Sequence, residues 1–148
     1  MIEYICRFYG GSAPMTQFRL GLTLYLTDWR SAIELGRAAT DIRWKVENHN
    51  PTPEQGDLVF LVMARTSTPP DFSAIDHPRE PLPVNFALPD EDRRTIDFVL
   101  KVTRHMADQE LMQLVYSTFP IMTQPDRAPL NLVALAERYN REFRHQQR

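Results

Sequence analysis

The 148-residue sequence predicts a mainly α fold of the α+β kind, a compact helical domain with a small antiparallel β element around residues 42–48 and 72–88. Three observations carry this. Apolar residues recur at helical spacing over residues 18–36 and again from residue 90 onward. Residues 41–49 alternate instead, with Ile42, Trp44 and Val46 on one side and Arg43, Lys45 and Glu47 on the other. Between the helical halves runs a proline-rich stretch, Thr66 to Pro89, whose short apolar pieces Phe72–Ile75 and Val84–Phe86 suit edge strands. The length is that of a single domain, residues 1–148.

The elements follow in order. Ile2 to Phe8 places Ile2, Ile5 and Cys6 on one helical face, and Gly10-Gly11 ends it. Pro14 suits a first helical turn, with Thr16 as the alternative N-cap. The run "FRLGLTLYLTDW" from Phe18 to Trp29 alternates like a strand, yet its helical stripe continues through Ala32, Ile33 and Gly36. Length decides for helix, with an expected bend near Thr27-Asp28, Asp28 capping a second segment and Gly36 as the stop. "NHNPTPEQGD" is turn chemistry leading into a helix, with Thr52 as N-cap and Pro53 at the first position. That helix is expected to continue through the apolar Leu58–Arg65. From Asp90 acidic residues fill a first turn, and Ile96, Val99, Leu100 and Thr103 follow at helical spacing. Asp108 is expected to cap the next helix and Pro120 to end it. Asn131 is expected to cap a last helix bearing Leu132, Leu135, Ala136, Tyr139 and Phe143 on one face.

Composition narrows the function classes. Hydrophobic content of 43% and charged content of 24% are globular values, and a formal charge of −2 gives no bias toward nucleic acid or anionic membrane. The longest apolar run, Leu58–Ala64, is too short to span a bilayer, so no membrane partner is expected. The N-terminal stretch lacks the basic region of a signal peptide, and one cysteine, Cys6, allows no internal disulfide. A cytoplasmic location is the expectation.

Motifs for chemistry are sparse. Phosphate-binding and dinucleotide-binding glycine patterns, the His-Glu-x-x-His zinc motif and the nucleophile elbow are all missing from the sequence. Cys6 reads as a small core residue. His49, His77, His105 and His145 are scattered, without the clustering a metal site needs. Arg138, Arg141, His145 and Arg148 form a stripe that reads as a solvated face near a helix C-terminus, against a phosphate-binding patch as the sharper alternative. No catalytic residue, metal ligand or cofactor site is therefore expected, and nucleic acid is not an expected partner.

Several segments nevertheless resemble, in order and spacing, the Panacea antitoxin domain, the SocA- and GepA-like family of bacteria and phages. They are "LYLTDWRSAIELGRAATDIRW" at 24–44, "ENHNP" at 47–51, "QELMQLVYSTFPI" from residue 109 and "LNLVALAERYN" ending at residue 140. The matching residues are Tyr25, Leu26, Asp28 and Trp29, the Gly36-Arg37 step, Thr40, Trp44, and the Val115 to Pro120 segment. Asn50 stands where the family usually has glycine, and asparagine is the next-best residue for a left-handed backbone. Thr66–Pro89 matches nothing in the family pattern.

The resemblance implies a non-enzymatic cytoplasmic antitoxin that neutralises a protein toxin, encoded by an adjacent gene, by direct binding. It also implies the alternative of an adaptor that hands its toxin to a protease. A nucleic-acid-binding autoregulator using the arginine stripe is a further alternative. Residue type points to Arg37, Arg43, Trp44 and His49 as the partner-binding set, with the 66–89 loop beside them, although Trp44, like Trp29, reads first as a core residue and only second as an exposed anchor. Trp29 is expected to be buried, Asp28 to cap or bridge, and partner contacts to lie elsewhere.

Overall fold

The structure is a computed structural model that describes residues 1–54 and 88–144. Within them the order is α1 (Ile2–Phe8), α2 (Gln17–Leu35), β1 (Trp44–Glu47), β2 (Asn50–Pro53), α3 (Asp90–Thr103), α4 (Asp108–Tyr116), α5 (Phe119–Thr123), β3 (Pro129–Leu130) and α6 (Leu132–Phe143). The fold is mainly α, with a small three-stranded antiparallel sheet in the order β2-β1-β3. The helix expected over Leu58–Arg65, the strands expected at Phe72–Ile75 and Val84–Phe86, and His77, His145 and Arg148 lie outside the described residues.

Helix α2 is the axis of the core. Residues Arg19 to Trp29 are buried without a break, so over these turns the helix has no solvent stripe. That is why its sequence supports both periodicities: a helix surrounded on every side needs apolar residues on every side. It packs against α1, α3, α4, α6 and β2. Thr16 caps it, its side chain accepting the Arg19 N–H at 3.1 Å. Gly36 closes it in the left-handed region, at φ 69°. The expected bend at Thr27-Asp28 is not there; the helix runs unbroken from Gln17 to Leu35. The Thr23 and Thr27 hydroxyls donate to the carbonyls one turn back, of Arg19 and Thr23, each at 2.8 Å. Their polar groups are thereby satisfied without opening the helix.

The β element corrects the sequence reading most. The alternating strand is shorter than expected, Trp44–Glu47, with Trp44 and Val46 inward. Asn50–Pro53 is not a helix entry but the second strand of a hairpin, in register Trp44↔Pro53, Lys45↔Thr52, Val46↔Pro51 and Glu47↔Asn50. The connecting residues Asn48 and His49 have φ 51° and 63°, the left-handed pair a tight two-residue hairpin requires. The left-handed positions thus fall on Asn48 and His49, and Asn50 belongs to the strand.

Register explains the prolines. The Glu54 N–H donates to the Arg43 carbonyl at 2.7 Å, so the even-numbered residues of β2 turn their backbone toward β1. Pro51 and Pro53 occupy the alternate positions, whose nitrogens face away from the ladder and need no hydrogen. On the other side the Val46 N–H donates to the Ala128 carbonyl at 2.9 Å, which puts Pro129 in the same outward class on β3. Both sheet edges therefore tolerate proline where a central strand would not.

Smaller corrections concern helix ends. Ala107, not Asp108, is the N-cap of α4, and the Glu110 carboxylate accepts the Ala107 N–H at 2.7 Å. Asp108 is freed to receive Arg19, as described below. Helix α4 ends at Tyr116, and Pro120 stands in the first turn of α5, where a missing N–H costs nothing. Asn131 caps α6 as expected, accepting the Ala134 N–H at 3.1 Å.

Candidate functional site

Two features stand out: a buried polar centre built from the motif residues, and a groove beside it. At the centre Asp28 has no exposure. Its Oδ1 accepts the Thr40 N–H at 2.7 Å; its Oδ2 accepts the Thr40 hydroxyl at 2.6 Å and the Trp44 indole N–H at 2.8 Å. Helix α2 thereby holds the chain on its way into β1. Burial pushes the Asp28 carboxyl above the ordinary carboxylate value, and the donors from Thr40 and Trp44 pull it partly back. The Tyr25 ring meets Trp44 edge-on at 5.7 Å. Thr118 donates to the Val115 carbonyl at 2.6 Å, which leaves Tyr25 to donate its hydroxyl to Thr118 at 2.8 Å. Burial raises the Tyr25 hydroxyl pKa far above the usual phenol value, so it stays protonated. Trp29 is buried and meets Tyr139 edge-on at 5.8 Å.

The groove encloses about 870 Å³ between the N-terminal half of α2 and the hairpin. Phe18 and Leu22 line the helix side. Pro51 and Pro53 line the hairpin side, with Lys45, Glu47 and Glu54. Phe18 is 44% exposed, at the open first turn of α2. The volume lies in the range of ligand-sized clefts.

The four residues expected to bind a partner do not form one cluster. Arg43 and His49 are both exposed on the hairpin, Arg43 beside Glu54 at 3.9 Å and His49 at its tip. Arg37 is exposed but tied elsewhere, to Asp92 at 2.9 Å and Glu91 at 3.5 Å in the first turn of α3. The bond to Asp92 holds its guanidinium above the ordinary value. Trp44 leaves the partner-binding set: at 2% exposure, with its indole N–H given to Asp28, it is the core residue of the first reading and offers no surface to a partner. Phe18 is the residue sequence reasoning missed. Its place on the apolar stripe reads as core, and only its position in the first turn hints at exposure. Among the described residues, no group of three His, Cys, Asp or Glu side chains is placed to hold a metal ion, and no helix is long and apolar enough to cross a membrane. No family model, curated protein or solved structure matches the chain.

Proposed function

We propose that this chain is a cytoplasmic antitoxin of the Panacea type, which neutralises a protein toxin encoded by an adjacent gene through direct binding. One observation carries the reading. The residues on which the resemblance rests are dispersed in sequence, yet Tyr25, Asp28, Thr40, Trp44 and Thr118 meet in one hydrogen-bonded, ring-packed centre. Residues that depend on one another in this way behave as the signature of a fold, which a chance string does not. An inhibitor also needs a shaped surface, and the groove beside the hairpin supplies one.

The test is co-expression. The adjacent reading frame should arrest growth alone and be relieved by this chain; a neighbour that is harmless alone, or an arrest this chain does not relieve, sinks the reading. Assay of the purified pair without protease separates direct inhibition from the adaptor alternative, since an adaptor alone leaves the toxin active.

A further inference from the structure

We propose that the solvent face of α3, flanked by the end of α1, is a second contact face of this chain, and that it receives an amphipathic helix of the partner protein whose apolar stripe is bordered by carboxylates. This rests on the reading of the chain as a protein-binding inhibitor, and names a surface for that binding which shares no residue with the groove. Three observations lead to it.

First, apolar surface collects here. Among the described residues six large apolar side chains are exposed, and three of them, Phe8, Phe98 and Val102, belong to α1 and α3. Phe98 and Val102 stand four residues apart on α3, so they are neighbours on its surface. Helix α1 runs alongside in the same direction. The Tyr4 hydroxyl donates to Asp97 at 2.8 Å, and a methyl group at Gly10 would stand 3.7 Å from the Arg104 guanidinium. Phe8 lies between these two levels, its ring 4.6 Å from that of Tyr4.

Second, the cations of this face are unanswered. Arg94 and Lys101 are both exposed, two turns or about 10.5 Å apart along α3, with Phe98 between them. Among the described residues neither forms an ion pair or a side-chain hydrogen bond, whereas every carboxylate of α3 is engaged: Asp90 by Arg93, Glu91 and Asp92 by Arg37, Asp97 by Tyr4. The stripe is thus left positive in a chain whose formal charge is −2. That charge selects the occupant. A second copy on the same face would set cations against cations, because a two-fold interface brings one patch against itself. Two cations neutralise too few phosphates for nucleic acid to stay bound at physiological salt. A partner helix with carboxylates one heptad apart and apolar residues between them answers both the charge and the apolar surface.

Third, the central ring is held in place before anything binds. The Arg30 guanidinium lies 3.7 Å from the Phe98 ring centre and is itself paired with Glu34 on the next turn of α2. A ring already fixed loses little freedom on binding, and aromatic and arginine side chains dominate contact faces.

The test uses the full chain and a fluorescein-labelled peptide of three copies of Glu-Gln-Ala-Leu-Leu-Gln-Ala. Its glutamates recur each heptad beside a pair of leucines. A second peptide carries lysine in place of each glutamate. The glutamate peptide should bind and the lysine peptide should not. R94E/K101E should weaken the glutamate peptide by about tenfold and take the lysine peptide instead, and Phe98→Ala should weaken both pairings, with the far-ultraviolet circular dichroism unchanged. No binding at millimolar peptide, or binding indifferent to the charge reversal, overturns the proposal. So does displacement of the peptide by a single-stranded oligonucleotide at physiological salt, which would assign the face to nucleic acid. A dimer of the chain alone on gel filtration that Phe98→Ala abolishes overturns it too, since a second copy would then cover the face. Growth rescue keeps the two readings apart. If wild type and R94E/K101E rescue equally, the assignment of this face falls and the antitoxin reading stands. If wild type fails to rescue, the antitoxin reading falls, and the peptide titration still decides the face.

Discussion

A carboxylate without water is costly unless donors surround it, and Asp28 meets three of them from the chain that leads into β1. Removing it orphans two Thr40 groups and the Trp44 indole in the core. Asp28→Ala should therefore lower unfolding free energy by about 3 kcal/mol or more, since each stranded buried donor costs about 1–3 kcal/mol; urea melts check this. The pH dependence follows from the same burial. Asp28 has a folded pKa raised above its unfolded value, so the folded state takes up this proton first. The stability it contributes is full below the ordinary carboxylate value and is lost as pH rises through the raised one. Wild type should thus gain stability relative to Asp28→Asn as pH falls from neutral toward the ordinary carboxylate range. Paired urea melts across that window measure the difference, in which the other carboxylates cancel. Of this centre the sequence shows only part: Asp28 and Trp29 are conspicuous there, but the partners Thr40 and Thr118 lie 12 and 93 residues from the groups they bind.

At the scale of elements, one side chain fastens three helices. Arg19, 1% exposed, leaves α2 to meet the junction of α3 and α4. Its guanidinium donates to the carbonyls of Thr103 at 2.8 Å and Met106 at 2.7 Å, and to Asp108 at 2.8 Å. It satisfies carbonyls at the end of α3 while answering the acidic first turn of α4. A lysine cannot span this fork. Arg19→Lys should lower stability by about 2 kcal/mol, seen as an earlier denaturant midpoint. Which elements could be read from sequence follows from how local their causes are. Helix α2 was legible because its stripe runs on to a glycine stop. Strand β2 was not, because Pro51 and Pro53 look like helix entry until the register shows that neither position needs a donor. Pro120 misled for a related reason: proline after a helix and proline opening the next one look alike in sequence.

At the scale of the whole molecule, the sheet and its hairpin hang on α2 through Asp28, and the groove is the space left between them. The mainly α architecture was visible from periodicity alone. The candidate site was visible only in part, since Arg43 and His49 stand on the hairpin while Trp44 turned inward and Phe18 outward. Apolar residues on a stripe do not announce which of them the first turn leaves uncovered. We propose that this chain silences a protein by binding it. The direct measurement titrates purified chain into the purified product of the adjacent gene, without protease, and follows residual toxin activity. Complete loss of activity at the stoichiometric point is expected, with a stable complex on gel filtration. Toxin activity unchanged by excess chain would overturn the proposal.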